Sequence, residues 1–179
     1  MTRSEAIDLL ARHELAELTA SARESHLLNW WSIDEEDEEF AGLPVELKQA
    51  LLDTDAPADP SLRLFDPLLL IALRYCHVGV RNDYLSRRLA ALGIDAAVDG
   101  PVEPMVACPC CGYRSLGQRG HYEICRVCFW EDEGNSPLDQ RSGSNHMTLR
   151  EARENFQRIG ACDEGSLVYV LPDGRDRYA

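Results

Sequence analysis

No stretch of this sequence is apolar enough to cross a bilayer. The longest uninterrupted apolar run, Leu68 to Leu73, covers 6 residues, against the roughly 20 that a spanning helix needs. The opening residues, Met-Thr-Arg-Ser-Glu, begin no apolar secretory core, so the expected setting is the cytoplasm, where thiols stay reduced. A Gly-rich phosphate loop, an H-E-x-x-H helix, an internal repeat and a low-complexity tract are all missing, and with them the readable signatures of nucleotide and zinc-hydrolase chemistry. Positive charge is scarce too: 18 Lys and Arg stand against 31 Asp and Glu, a net charge of −13. A field of that sign repels phosphate and anionic membranes and speeds encounters with basic partners, so nucleic acid is an unfavourable ligand.

What is present supports a packed protein. A hydrophobic fraction of 45% is ordinary for a globular chain and excludes general disorder. The 179 residues have room for one domain or for a helical lobe and a smaller module. The charge is uneven, because residues 1–100 hold 19 acids against 9 bases. The expected division is an acidic helical domain over 1–100 and a cysteine-rich domain over 101–179, joined by the Gly/Pro-rich stretch Asp99 to Pro104.

The chain is organised around Cys108 to Cys128. Cys108 and Cys111 stand in C-x-x-C spacing, Cys125 and Cys128 repeat it, and 13 residues separate the pairs, as in four-thiolate zinc ribbons. Two cysteines three apart on a tight turn aim both sulfurs at one point, and two such turns complete a tetrahedron. Zn²⁺ suits soft thiolates and imposes no geometry of its own; iron fits the same four sulfurs. Pro109 fixes φ inside the first turn, and Gly112 supplies the positive φ that closes it. A redox pair or two disulfides would use the same residues, but disulfides are out of place in a reducing compartment. His146 or Cys110 could replace one of the four ligands.

These residues also carry a resemblance. Cys-Pro-Cys-Cys-Gly-Tyr at 108–113, Tyr-Glu-Ile-Cys-Arg-Val-Cys-Phe-Trp-Glu-Asp-Glu-Gly at 122–134 and Asn-His-Met-Thr-Leu-Arg-Glu-Ala-Arg-Glu-Asn-Phe at 145–156 resemble the bacterial cysteine-rich CPCC family, over residues 105–162. Longer members carry an upstream segment similar to residues 28–40. The resemblance implies a zinc ribbon and no particular activity.

Along the chain, Thr2 with Glu5 forms a capping box for a helix over 3–12, followed by a short helix over 14–20. Ser21 with Glu24 opens another that ends at Trp30 and Trp31. Adjacent residues on a helix point about 100° apart, so this pair is read either as core or as an exposed binding anchor. Asp34 to Glu39 is an unbroken run of 6 acids, read as a helix start capped by Ser32 or as a contact strip for a basic partner. Helices are expected over 44–52, 68–75 and 82–92, with 53–67 an extended loop and 94–98 a short strand. Phe129 and Trp130 are expected to pack over the metal, residues 134–147 to form a Gly/Ser/Asn loop, and Thr148 with Glu151 to cap a helix that stops at Gly160. Ser166 to Leu171 reads as a final strand and Asp173 to Ala179 as a loose tail.

The resulting fold is α+β: a helical N-terminal lobe, then a zinc-ribbon hairpin module with a C-terminal helix and short strand. Four thiolates leave no position for water, so the site is expected to be structural and the protein not an enzyme. The functional expectation is a zinc-binding protein-interaction module, specifically an immunity or antitoxin protein that neutralises a basic toxin through its acidic surface. One alternative is an enzyme using Cys110 with His121 or His146 as base, although a neighbouring zinc–thiolate cluster opposes thiolate formation. The other is a nucleic-acid-binding ribbon using Arg114, Arg119 and Arg126.

Overall fold

The computed structural model describes residues 1–134 and 137–179. The chain forms two compact units, one of residues 1–78 with 86–99 and one of residues 79–85 with 100–179.

The first unit is helical. α1 (Arg3–Glu17) starts at the expected Thr2–Glu5 capping box, and it runs unbroken through the position where two helices were expected. Nothing between Ala11 and Glu17 stops it, since the segment holds neither Gly nor Pro. α2 (Ala20–Trp30) is capped by Thr19, whose hydroxyl accepts the Ala22 N–H at 3.2 Å, rather than by Ser21. The acid run does not form a helix from Ser32. Asp34 and Asp37 fold the stretch into side-chain-closed turns, with the Asp37 carboxylate accepting the Asp34 N–H at 3.0 Å. Only the short α3 (Glu38–Ala41) follows. Asp side chains offer the backbone such alternatives, which is why the run stays local.

α4 (Val45–Asp53) begins after Pro44 and buries Leu47 and Leu51. A 3₁₀ turn (Arg63–Phe65) leads into α5 (Asp66–Tyr75). α5 packs against α1 and α2, and Leu68 and Leu69 join Leu27, Trp31, Phe40 and Leu47 in the core. α6 (Asn82–Ala91) gives its first residues to the second unit and its remainder to the first. The strand expected over 94–98 is irregular chain. Its end returns to the start of α1, where Arg3 N–H donates to the Asp99 carbonyl at 2.8 Å.

The second unit carries two antiparallel hairpins. β1 (Val106–Ala107) pairs with β2 (Arg114–Leu116), with an irregularity between Val106 and Ala107; β3 (Glu123–Ile124) pairs with β4 (Glu131–Asp132). α7 (Leu149–Ile159) has both halves of the Thr148–Glu151 capping box and ends at Gly160, which takes φ 85°. Of the expected 134–147 loop, residues 135 and 136 lie outside the described residues.

Two C-terminal expectations are corrected. Residues 166–171 form no strand: a 3₁₀ turn (Gly165–Val168) replaces it, started where the Asp163 carboxylate accepts the Ser166 N–H at 2.8 Å. The tail is not loose either. α8 (Gly174–Arg177) forms there, Tyr178 is 1% exposed, and Asp173 accepts hydrogen bonds from Tyr84 and Arg177.

Candidate metal centre

Each C-x-x-C sits in the turn of one hairpin, and the two turns are built alike. In the first, the Gly112 N–H donates to the Cys108 carbonyl at 2.9 Å and the Cys108 N–H to the Tyr113 carbonyl at 2.9 Å. In the second, the Phe129 N–H donates to the Cys125 carbonyl at 2.8 Å and the Cys125 N–H to the Trp130 carbonyl at 2.8 Å. The residue after the second cysteine is left-handed in both, Gly112 at φ 84° and Phe129 at φ 68°. The sequence announces the first of these with a glycine and hides the second behind a phenylalanine. Left-handed backbone costs a side-chain-bearing residue about 1–2 kcal/mol, and the Phe129 ring is stacked on Tyr169 at 4.8 Å, a contact that offsets part of that cost.

The turns bring four sulfurs together. The Sγ atoms of Cys108, Cys111, Cys125 and Cys128 all lie within 4.8 Å of one another. Cys108 Sγ is 3.7 Å from Cys128 Sγ, and Cys111 Sγ is 3.6 Å from Cys125 Sγ. Both short distances cross from one turn to the other. Disulfide sulfurs would be about 2.05 Å apart, and all four cysteines are free. A tetrahedron with zinc–sulfur bonds of about 2.3 Å has edges of about 3.8 Å, so the donor set fits an ion of that size and preference. His146 does not join this group among the described residues.

The surroundings hold the sulfurs in place. Ser115 Oγ, on β2, is 3.0 Å from Cys125 Sγ, and the Val127 N–H donates to the same sulfur at 3.4 Å. Hydroxyl and amide donors of this sort orient a metal-binding thiolate and spread its charge. The Arg153 guanidinium, on α7, donates to the Pro109 carbonyl at 2.9 Å, and the Cys162 N–H donates to the Cys128 carbonyl at 2.7 Å. Gly174 lies where a Cβ would come within 3.3 Å of the Arg126 carbonyl oxygen, so α8 approaches the second turn at backbone distance.

The electrostatics point the same way. Hydrogen bonds from Cys108, then Cys111 and Cys128, hold the Cys125 thiol far below its usual range. The interaction with Cys108, first among several, drives Cys128 far above it, and Cys111 rises for the same leading reason. Thiolates crowded this closely repel one another, so four of them together require a cation between them.

Of the other candidates read from the sequence, Cys110 is buried beside Cys128, and His121 is exposed. None of the hydrogen bonds among the described residues joins Cys110 to His121 or His146. Cys162 is buried, which pushes its thiol up to about 12. Arg114 donates to the Met105 carbonyl at 3.0 Å, Arg119 pairs with Asp132 at 2.7 Å, and Arg126 reaches the Tyr178 hydroxyl at 3.4 Å. Trp130 is buried and Phe129 half-buried.

Sequence reasoning missed the tail network, in which Asp173 accepts from Arg177 Nε at 2.8 Å and from the Tyr84 hydroxyl. Burial pushes the Asp173 carboxyl up, but the Arg177 and Tyr84 hydrogen bonds outweigh it and leave the group below its ordinary range. A depressed carboxyl stabilises the fold above its unfolded value, about 3.9, and loses that contribution as pH falls through the folded value. Asp173→Asn is therefore expected to destabilise the second unit at pH 7 and to flatten its loss of stability below about pH 4. Urea titrations at stepped pH, followed by Trp130 fluorescence, measure both effects.

Two hairpin turns presenting four convergent thiols define a four-cysteine module able to hold a metal ion. Residues 106–176 match the cysteine-rich CPCC family, so this part of the chain is a module of that family. The match continues past residue 162, where the resemblance was expected to end, and does not include residues 28–40. No curated protein and no solved structure matches the chain. No helix among the described residues is long and apolar enough to cross a membrane.

Proposed function

We propose that Cys108, Cys111, Cys125 and Cys128 hold one structural Zn²⁺, and that the protein binds a basic protein partner rather than catalysing a reaction. The pair of cross-turn sulfur separations, 3.7 and 3.6 Å, carries the metal reading. Zinc in a closed four-thiolate shell has no open position for water or substrate, so what it supplies is folding energy. The chain's own contribution is the matched pair of turns and the Ser115 and Val127 donors, which set where the sulfurs stand around the ion.

The binding reading rests on charge. Asp34 to Glu39 are all exposed, and no ion pair among the described residues neutralises any of the six. Unscreened carboxylates at this density attract Lys and Arg and raise the rate of encounter with a basic surface. A basic toxin directed at nucleic acid fits that chemistry, which would make the protein an immunity or antitoxin protein. The test is co-purification with the product of a neighbouring toxin-like gene, repeated in rising salt and with Asp34, Glu35 and Glu36 reversed to Lys. Loss of the complex in both arms supports the reading; a complex indifferent to salt and reversal overturns it. Cys110→Ser separates the enzymatic alternative, because it removes a nucleophile while leaving the four-sulfur cage complete.

A further inference from the structure

α5 is apolar on two faces. Leu68, Leu69, Ala72 and Leu73 are buried in the first unit's core, and a helix in a small globular unit needs only one such stripe. The side turned away from these carries Pro67, Leu70, Ile71 and Arg74, with Leu70 and Ile71 half-buried and Ile71 packed in part against the same core, and Tyr75, one turn beyond Ile71, is 51% exposed. This second stripe forms one wall of an open groove of about 590 Å³, whose other wall is Glu38, Glu39 and Leu43. A second open groove, of about 460 Å³, is lined by Trp30, Ile33 and Tyr75 together with Asp37 and Glu39. Glu39 lines both. Trp30 and Tyr75 meet edge to face at 5.4 Å, so the aromatic end is held in a fixed shape.

We propose that this pair of grooves is the docking site for a basic, amphipathic helical segment of a partner protein. The proposal rests on the charge reading given above and adds the surface and the partner's chemistry. The apolar stripe of α5 takes the partner's Leu-type side chains, as an amphipathic helix lays its apolar face in a groove. Asp37, Glu38 and Glu39 stand along the rim, where flanking Lys or Arg side chains would find them. Arg74, which lines the first groove, does not oppose this strongly, because Asp8 on α1 holds its guanidinium at 2.6 Å. Trp30 supplies the large amphipathic ring that interface anchors favour. A purely polar acidic strip would have no use for an apolar wall beside it, and a purely apolar docking face would not be edged by consecutive carboxylates.

The test uses the full chain and three labelled synthetic peptides read by fluorescence anisotropy: an 18-residue Leu/Lys amphipathic helix, the same composition scrambled to remove the apolar face, and a Ser/Lys peptide. The amphipathic peptide is expected to bind at least tenfold more tightly than the other two. Leu70→Ser and Tyr75→Ser should each remove most of that advantage, and Glu39→Lys should weaken it and reduce its dependence on salt. Helical circular dichroism confirms that each variant is folded, and Tyr75→Ser, at an exposed position, keeps the test valid should Leu70→Ser not fold. Equal binding of all three peptides, with sensitivity only to reversal of Asp34 to Glu36, would overturn the groove while leaving the charge reading standing. No binding of any basic peptide would overturn both. Tight amphipathic binding unchanged by the groove variants would place the contact elsewhere and sink the proposal.

Discussion

Cys125→Ser is expected to abolish the proposed binding of one zinc per chain and to unfold the second unit while the first keeps its helices. Cys125 is the position to change because its sulfur also ties the cluster to the rest of the unit, 3.0 Å from Ser115 Oγ and 3.4 Å from the Val127 N–H. Structural zinc of this type contributes on the order of 10–16 kcal/mol in apparent free energy, against about 5–15 kcal/mol for the net stability of a whole domain. The remaining core of this unit, centred on Leu116, Val127, Trp130 and Leu149, is served by strands of two or three residues. Such hairpins are marginal without a staple. Elemental analysis gives the metal's identity and stoichiometry. A red shift of Trp130 emission, with Trp30 and Trp31 in the other unit as internal reference, reports the local unfolding.

Acidification of the parent protein should give the same end state, because protons and zinc compete for the thiolates and affinity falls as pH falls. Cys110→Ser should do neither. Retention of one zinc and a native Trp130 signal in the Cys125 variant would disprove the four-sulfur assignment; iron in place of zinc would correct only the ion.

The cage was legible because C-x-x-C is a local rule: three-residue spacing fixes the turn, and two copies fix the tetrahedron's two edges. Capping boxes at Thr2 and Thr148 were legible for the same reason, since both partners lie within one turn of helix. What escaped depends on residues far apart in the chain. The tail reads as loose because its partner, Tyr84, stands 89 positions before Asp173. The segment 166–171 has the composition of a strand, but no neighbouring strand is there to pair with it among the described residues, and Asp163 turns it into a 3₁₀ bend. Phe129 could not be recognised as the second turn's left-handed residue from its identity; only its position, matching Gly112 in the first turn, gives it away. The acid run was recognisable as unusual, and its turns are local, but Asp34 and Asp37 close them in place of the helix cap that Ser32 was expected to form.

Trp31→Ala is expected to cost the first unit about 3–5 kcal/mol, whereas Trp30→Ala should cost about 1 kcal/mol, the ordinary size for a partly exposed position. The sequence offers two equivalent tryptophans; the fold buries Trp31 in the core and leaves Trp30 half-buried at the edge of that same core. Trp31 is 5% exposed, meets Phe65 edge to face at 5.3 Å, and donates its indole N–H to the Thr54 carbonyl at 2.7 Å. Truncation removes the burial, the ring contact and that hydrogen bond together, and leaves a cavity among Leu27, Phe40 and Leu47 that the surrounding helices cannot fill. Trp30 is half-buried, with part of its ring packed against the same core and its edge on exposed Tyr75. Denaturant titration of the two variants, followed by helical circular dichroism, separates the roles: the midpoint should fall steeply for Trp31→Ala and little for Trp30→Ala. Binding of the Leu/Lys amphipathic peptide should order them the other way, with folded Trp30→Ala losing affinity. Equal loss of stability in the two variants would mean that both rings are core, and the aromatic end of the groove would then be packing rather than a place for a partner.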